Sequence, residues 1–122
     1  MGLIWSSDDD TVVGLAHLRD VHEGAGGAAH GGLLAALFDE VLGRACEQWG
    51  PPSVTASLTV NYLAPIRLPT DVEVRGRCAD IDGRKIRVEG EIRQHDQVAA
   101  TASGLWITLP KVDLYAENGR TT

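Results

Sequence analysis

Asp39 is the residue best placed by type and surroundings to do chemistry. It falls inside a run from Gly31 to Trp49 that has no proline and few β-branched side chains, and that stops at Gly50-Pro51-Pro52. Such a run predicts a helix with a sharp end. On a wheel of about 100° per residue, Leu33, Leu34, Leu37, Phe38, Val41, Leu42, Ala45 and Trp49 fill one half. A stripe of that width faces a core. Glu40, Arg44 and Glu47 gather at one edge as a solvated rim. The remaining arc holds Gly32, Ala35, Ala36, Asp39, Gly43 and Cys46, all small except the acid. Small side chains let a second backbone or a ligand come close. A carboxylate set among them is partly desolvated and is a candidate general base or nucleophile; the plain alternative is a solvated surface aspartate.

The start of the same helix offers a complementary group. His30-Gly31-Gly32 leads into it after a glycine-rich loop, Asp20 to Ala29. The first amides of a helix have no internal partners and carry the positive end of its dipole. Two glycines there would let a substrate oxygen reach the backbone, as in an oxyanion hole. His30 is read as a brace for this loop, with a reactive imidazole as the alternative. Asp39 lies eight residues beyond Gly31, or about 12 Å along the axis. One site cannot easily use both from a single helix. A two-fold pairing of helices would bring them together, so the pattern hints at a site at a dimer interface.

The elements that must position these residues follow from the rest of the chain. Thr11–Leu18 reads as a strand. From Ser53 the pattern turns to period two, with Val54, Ala56, Leu58, Val60 and Tyr62 alternating with Thr55, Ser57, Thr59 and Asn61. Pro65 and Pro69 break that strand. Val72–Ala79, Lys85–Arg93 and Val98–Leu109 read as further strands, with turns at Asp82-Gly83 and His95-Asp96. One helix among strands in short hairpins is an α+β domain, the helix laid on an antiparallel sheet. Residues 1–110 are expected to form a single domain, and the polar residues 111–122 a loosely held tail.

Composition narrows the partners. The net charge is −6, which argues against a nucleic-acid surface. The four histidines and two cysteines show no ligand spacing, so no metal is expected. The apolar stretch Gly2–Trp5 is too short for a leader or a membrane span, and two unpatterned thiols fit a reducing cytoplasm.

Taken together, Glu23-Gly24, then His30-Gly31-Gly32-Leu33-Leu34-Ala35-Ala36-Leu37-Phe38-Asp39-Glu40, resemble the signature of the PaaI-like (phenylacetate-type) branch of the hotdog-fold thioesterases. In that branch an HGG triplet opens the central helix and an acid follows nine residues after its histidine, where Asp39 stands. Thr55 to Pro65 resembles the family's next strand, which ends in Tyr-x-x-Pro. The likeness runs from about Val12 to Leu109.

The resemblance implies a hotdog fold, one long central helix wrapped by an antiparallel sheet of five to six strands. It implies a homodimer, doubled in many members to a homotetramer. It also implies hydrolysis of an acyl thioester of coenzyme A, or of acyl carrier protein, with no cofactor besides the coenzyme A of the substrate. By position Asp39 would be nucleophile or general base. The Gly31 amide, with Gly32 as a second donor, would polarise the thioester carbonyl from the neighbouring subunit. Thr55 would orient the acid or a water, and Ser57 shares its strand parity. His30 is carried over beside them. Phe38 and Tyr62, with Trp49 and Trp106, could line an acyl pocket or simply pack the core. Arg67, Arg84, Lys85 and Arg87 could meet the phosphates of coenzyme A or form a solvated face. One departure stands out: many members carry Asn or Gln six residues before the HGG histidine, and here that position is Gly24. A hotdog hydratase or dehydratase, which usually places its histidine in a proline-rich loop, and a non-catalytic acyl-thioester binder are the rival readings.

Overall fold

The structure is a computed structural model that describes residues 3–8, 10–19, 27–48 and 52–109, with 3–8 described in strand path and pairing only. The elements in chain order are β1 (Leu3–Asp8), β2 (Thr11–Leu18), α1 (Gly31–Glu47), β3 (Ser53–Tyr62), β4 (Thr70–Asp82), β5 (Lys85–Gln94) and β6 (Gln97–Thr108). All six strands join one sheet in the order β1-β2-β4-β5-β6-β3, and every pairing is antiparallel. The sixth strand is β1, in the stretch that the sequence marks only as a short apolar run.

Local chemistry explains the hairpins. Gly83 supplies the left-handed φ of 62° that opens the two-residue turn between β4 and β5. His95 and Asp96 have φ of 52° and 64° at the β5–β6 turn. Two consecutive left-handed residues twist a hairpin in the sense its strands need, and Asp and His tolerate that region better than most side chains.

The helix begins as its sequence predicts. His30 is the N-cap, in extended conformation (φ −67°, ψ 134°). At the other end the helix stops at Glu47, capped by Gln48, rather than running to Trp49. Trp49, Gly50 and Pro51 lie outside the described residues, as do the 20–26 loop and the 110–122 tail.

The apolar stripe of α1 meets the concave sheet face. Leu34, Leu37, Phe38, Val41, Leu42 and Ala45 are buried, as the wheel predicts. Cys46 is also fully buried, although the wheel put it in the small strip. The sheet curls round the helix, so the covered arc is wider than half. The closest approach falls at Gly76 and Gly90, which face each other across β4 and β5. A Cβ on Gly76 would stand 2.8 Å from Leu42 Cδ2, and one on Gly90 would stand 2.4 Å from the Arg75 carbonyl oxygen. This glycine pair is the seat on which α1 rests. The convex face opposite is polar: Arg75 pairs with Glu73, Arg77 with Glu89 and Arg93 with Glu91. These exposed and half-exposed pairs add little stability.

Candidate active site

The site forms where α1 runs beside the edge strand β3, and an irregularity in that strand makes it. The pairing of β3 with β6 slips between Thr55, opposite Trp106, and Ser57, opposite Leu105, leaving Ala56 as the extra residue. Cross-strand partners share a face, so Thr55 stands with Trp106 on the helix side and Ser57 with Leu105 on the convex side. Simple alternation puts Thr55 and Ser57 on one face; the bulge separates them. Bulges commonly re-aim a side chain in this way beside a functional site. Ser57 as a substrate contact is therefore corrected: it points away from Asp39.

With its face reversed, Thr55 donates its hydroxyl hydrogen to Asp39 Oδ1 at 2.8 Å. Asp39 is exposed in the single chain. The two residues open onto a groove of about 610 Å³, whose lining also includes Glu40, Gly43, Arg44 and Trp106. Trp106 forms its floor and is only 3% exposed.

The helix start is held from two sides. His30 Nδ1 accepts the Gly32 N–H at 2.9 Å, so His30 is a brace and the Gly32 amide is already engaged. The Gly31 carbonyl accepts the Tyr62 hydroxyl at 2.9 Å. A Cβ on Gly31 would stand 3.4 Å from the Tyr62 ring. Among the described residues the Gly31 N–H has no acceptor, so of the two amides named from the sequence only this one is open. Tyr62 supports the helix start, a structural contact that the sequence reading assigned to substrate. Phe38 is fully buried and gives a ligand no surface. Of its two readings, pocket lining and core packing, the structure supports packing, because its position falls in the middle of the stripe that meets the sheet.

The basic residues are dispersed. Arg84 and Lys85 lie at the β4–β5 turn, where Arg84 Nε donates to the Thr108 carbonyl at 2.9 Å. Arg87 is exposed on the convex face, and Arg67 bridges Ala28 by its backbone near the helix start. Glu23, Gly24 and His22 are outside the described residues. Among the described residues no three His, Cys, Asp or Glu side chains stand together as metal ligands, and no helix is long and apolar enough to cross a membrane. Behind the groove, burial and the nearby Cys78 push the Cys46 thiol from 9.0 to about 12, with Glu47 adding slightly and a hydrogen bond with Ser53 opposing.

A helix seated in a six-stranded antiparallel sheet, with an acid and a hydroxyl paired beside it, is the hotdog arrangement. Residues 26–101 match the family model of the thioesterase superfamily. The chain belongs to that superfamily. It is 35% identical over 89 residues to the acyl-coenzyme A thioesterase THEM4 of Xenopus laevis, an alignment that takes in 71% of this chain and 40% of that protein. The chain thus spans about two fifths of the length of that curated relative. Among solved structures it superposes on the thioesterase superfamily protein RHA08564 with a TM-score of 0.81 and 34% identity, over 86% of this chain and 55% of the other. A mutant of the phenylacetic acid degradation protein PaaI from Thermus thermophilus superposes with a TM-score of 0.82 at 27% identity, over 88% of this chain and 94% of the other.

Proposed function

We propose that this chain hydrolyses an acyl-CoA thioester to a free acid and a thiol. The observation that carries the reading is the Thr55–Asp39 hydrogen bond of 2.8 Å at the head of the groove. A hydroxyl that donates to one carboxylate oxygen fixes the plane of the acid and leaves Oδ2 free to act. Asp39 either takes a proton from water as the water attacks the thioester carbon, or attacks that carbon itself. In both routes the carbon–sulfur bond breaks and the sulfur takes up a proton that comes from water; in the second, water then hydrolyses the acyl–Asp39 anhydride, releasing the acid and restoring the carboxylate. Negative charge grows on the carbonyl oxygen in the transition state. An unengaged helix N-terminal amide is suited to receive it, and in this chain that amide is Gly31 N–H.

Asp39 and Gly31 of one copy are too far apart along α1 to share a substrate. The reading therefore takes the Gly31 amide from a second copy, in a homodimer joined at the free edge of β3 and doubled in turn to a homotetramer. Every residue of β3 is at least partly exposed, and Val54, Tyr62 and the following Leu63 are 48%, 55% and 61% exposed. An open edge with apolar side chains invites pairing. The thiol is that of coenzyme A, with acyl carrier protein as the other source of the same thioester. No metal or cofactor has a part, neither nucleic acid nor membrane is a partner, and the setting is cytoplasmic.

The test is thiol release from a panel of short, medium and aromatic acyl-CoAs by the wild type, Asp39→Asn and Asp39→Ala. Loss of a catalytic base should lower kcat by about a hundredfold or more in both variants. Binding without turnover by the wild type would instead mark a carrier or sensor of acyl thioesters.

A further inference from the structure

We propose that the indole N–H of Trp106 selects the acyl group, favouring one that carries a hydrogen-bond acceptor about one helical turn from the reacting carbon. This rests on the thioesterase reading of the same groove.

Trp106 is 3% exposed and lines the groove with Asp39 and Thr55. An indole nitrogen donates and cannot accept, and buried indole N–H groups usually have a partner. Among the described residues this one has none. The ring is held in one place. It covers Gly104, where a Cβ would come within 2.4 Å of Trp106 Cζ3, and it is the strand neighbour of Thr55. Its Nε1 end turns to Gly43, where a Cβ would stand 3.7 Å away. At residue 43, which lines the groove with Trp106, α1 thus places no side chain over Nε1.

Gly43 follows Asp39 by four residues on the same helix face, about 6 Å along the axis. The groove continues in this direction to Glu47 and Pro52. Glu40 and Glu47 outnumber Arg44 along its rim, a balance that disfavours the phosphates of coenzyme A, so this end suits the acyl group. An apolar tail lying from Asp39 towards Gly43 would close Nε1 off from solvent and leave the donor unpaired, at a cost. A tail with a ketone or ether oxygen at that depth supplies an acceptor. Sites built around a polar partner discriminate strongly against the analogue that lacks it.

The experiment compares hexanoyl-CoA with 5-oxohexanoyl-CoA, nearly equal in shape, with a carbonyl oxygen at the required depth in the second. The wild type should favour the oxo substrate by about tenfold in kcat/KM. Trp106→Phe removes the N–H and should bring the ratio near one. Gly43→Ala places a methyl in ordinary contact over Nε1 and should do the same without a hole in the core, so it decides the matter if Trp106→Phe does not fold. Equal turnover of the two substrates by the wild type, or a preference that survives either folded variant, overturns the role of Trp106 and leaves the thioesterase reading intact. No turnover of either, or of the wider acyl panel, overturns both.

Discussion

Tyr62 and Gly31, thirty-one residues apart in sequence, are joined by a hydrogen bond of 2.9 Å from the phenol to the carbonyl that opens the helix. The bond ties the end of an edge strand to the carbonyl of Gly31, the residue whose own amide is the one left open at the helix start among the described residues. Tyr62→Phe keeps the ring against Gly31 and deletes only the hydroxyl. It should cost about 0.5–1.5 kcal/mol of stability, the usual worth of one such bond, read from urea denaturation. It should lower kcat more than it changes KM, since a looser amide serves the transition state less well.

Thr55 separates orientation of the acid from packing. Thr55→Ser keeps the donor and should retain most activity. Thr55→Val keeps the shape and loses the bond to Asp39, a hydrogen bond to a charged group worth about 1.5–3 kcal/mol, so kcat should fall by one to two orders of magnitude. Deleting Ala56 removes the extra residue but leaves Thr55 opposite Trp106 on the helix side, so activity should survive in a folded protein. Steady-state kinetics beside thermal melts for the three variants checks this.

Cys46 sets a pH limit. Its folded pKa of about 12 lies above the ordinary 9.0 because burial disfavours the thiolate. Below about pH 9 the thiol is protonated both folded and unfolded, and its contribution is fully present. Above that only the unfolded chain ionises, so stability falls as pH rises, by up to about 1.4 kcal/mol per unit. The decline should be shallower in Cys46→Ala, measured by denaturation between pH 8 and pH 10.5. Aromatic disulfide reagents at pH 8 should label Cys78 in the native protein and reach Cys46 only after unfolding.

The shared-site reading has a direct physical consequence in solution. Gel filtration should give a mass of at least two subunits. A single-subunit mass would overturn the exchange of Gly31 and Asp39 between copies. A charged substitution at the exposed edge, Val54→Lys, should shift the protein to monomer and reduce turnover together.

The helix and its acid were legible because helical period, caps and breakers are local signals, and His30, Asp39 and the buried stripe stand where that pattern puts them. The hairpin turns were legible for the same reason. Ser57 shows the limit. Strand parity assumes an unbroken ladder, and nothing in Val54-Thr55-Ala56-Ser57 announces the extra residue, since the slip is set by pairing with β6. For Phe38 and Tyr62 pocket lining and core packing both stay open in the sequence, because type alone does not tell a core ring from a lining one. Cys46 went to the wrong face because the wheel assumes a flat partner, whereas the sheet is curved. Trp106 gains its place from Gly43 and Gly104, neighbours in space that no spacing in the sequence links.

Among the described residues the sheet has two outer strands, and they differ. β3 is ten residues long, whereas β1, at the opposite margin, has six. Were the two margins equivalent, copies could add head to tail without end, the geometry of a fibre. A short outer strand offers too few bonds to template the next copy. In the proposed dimer, like-with-like joining through β3 would use up the long margin of both copies and leave β1 at each extremity as a stop. The six-residue strand would then make growth self-terminating.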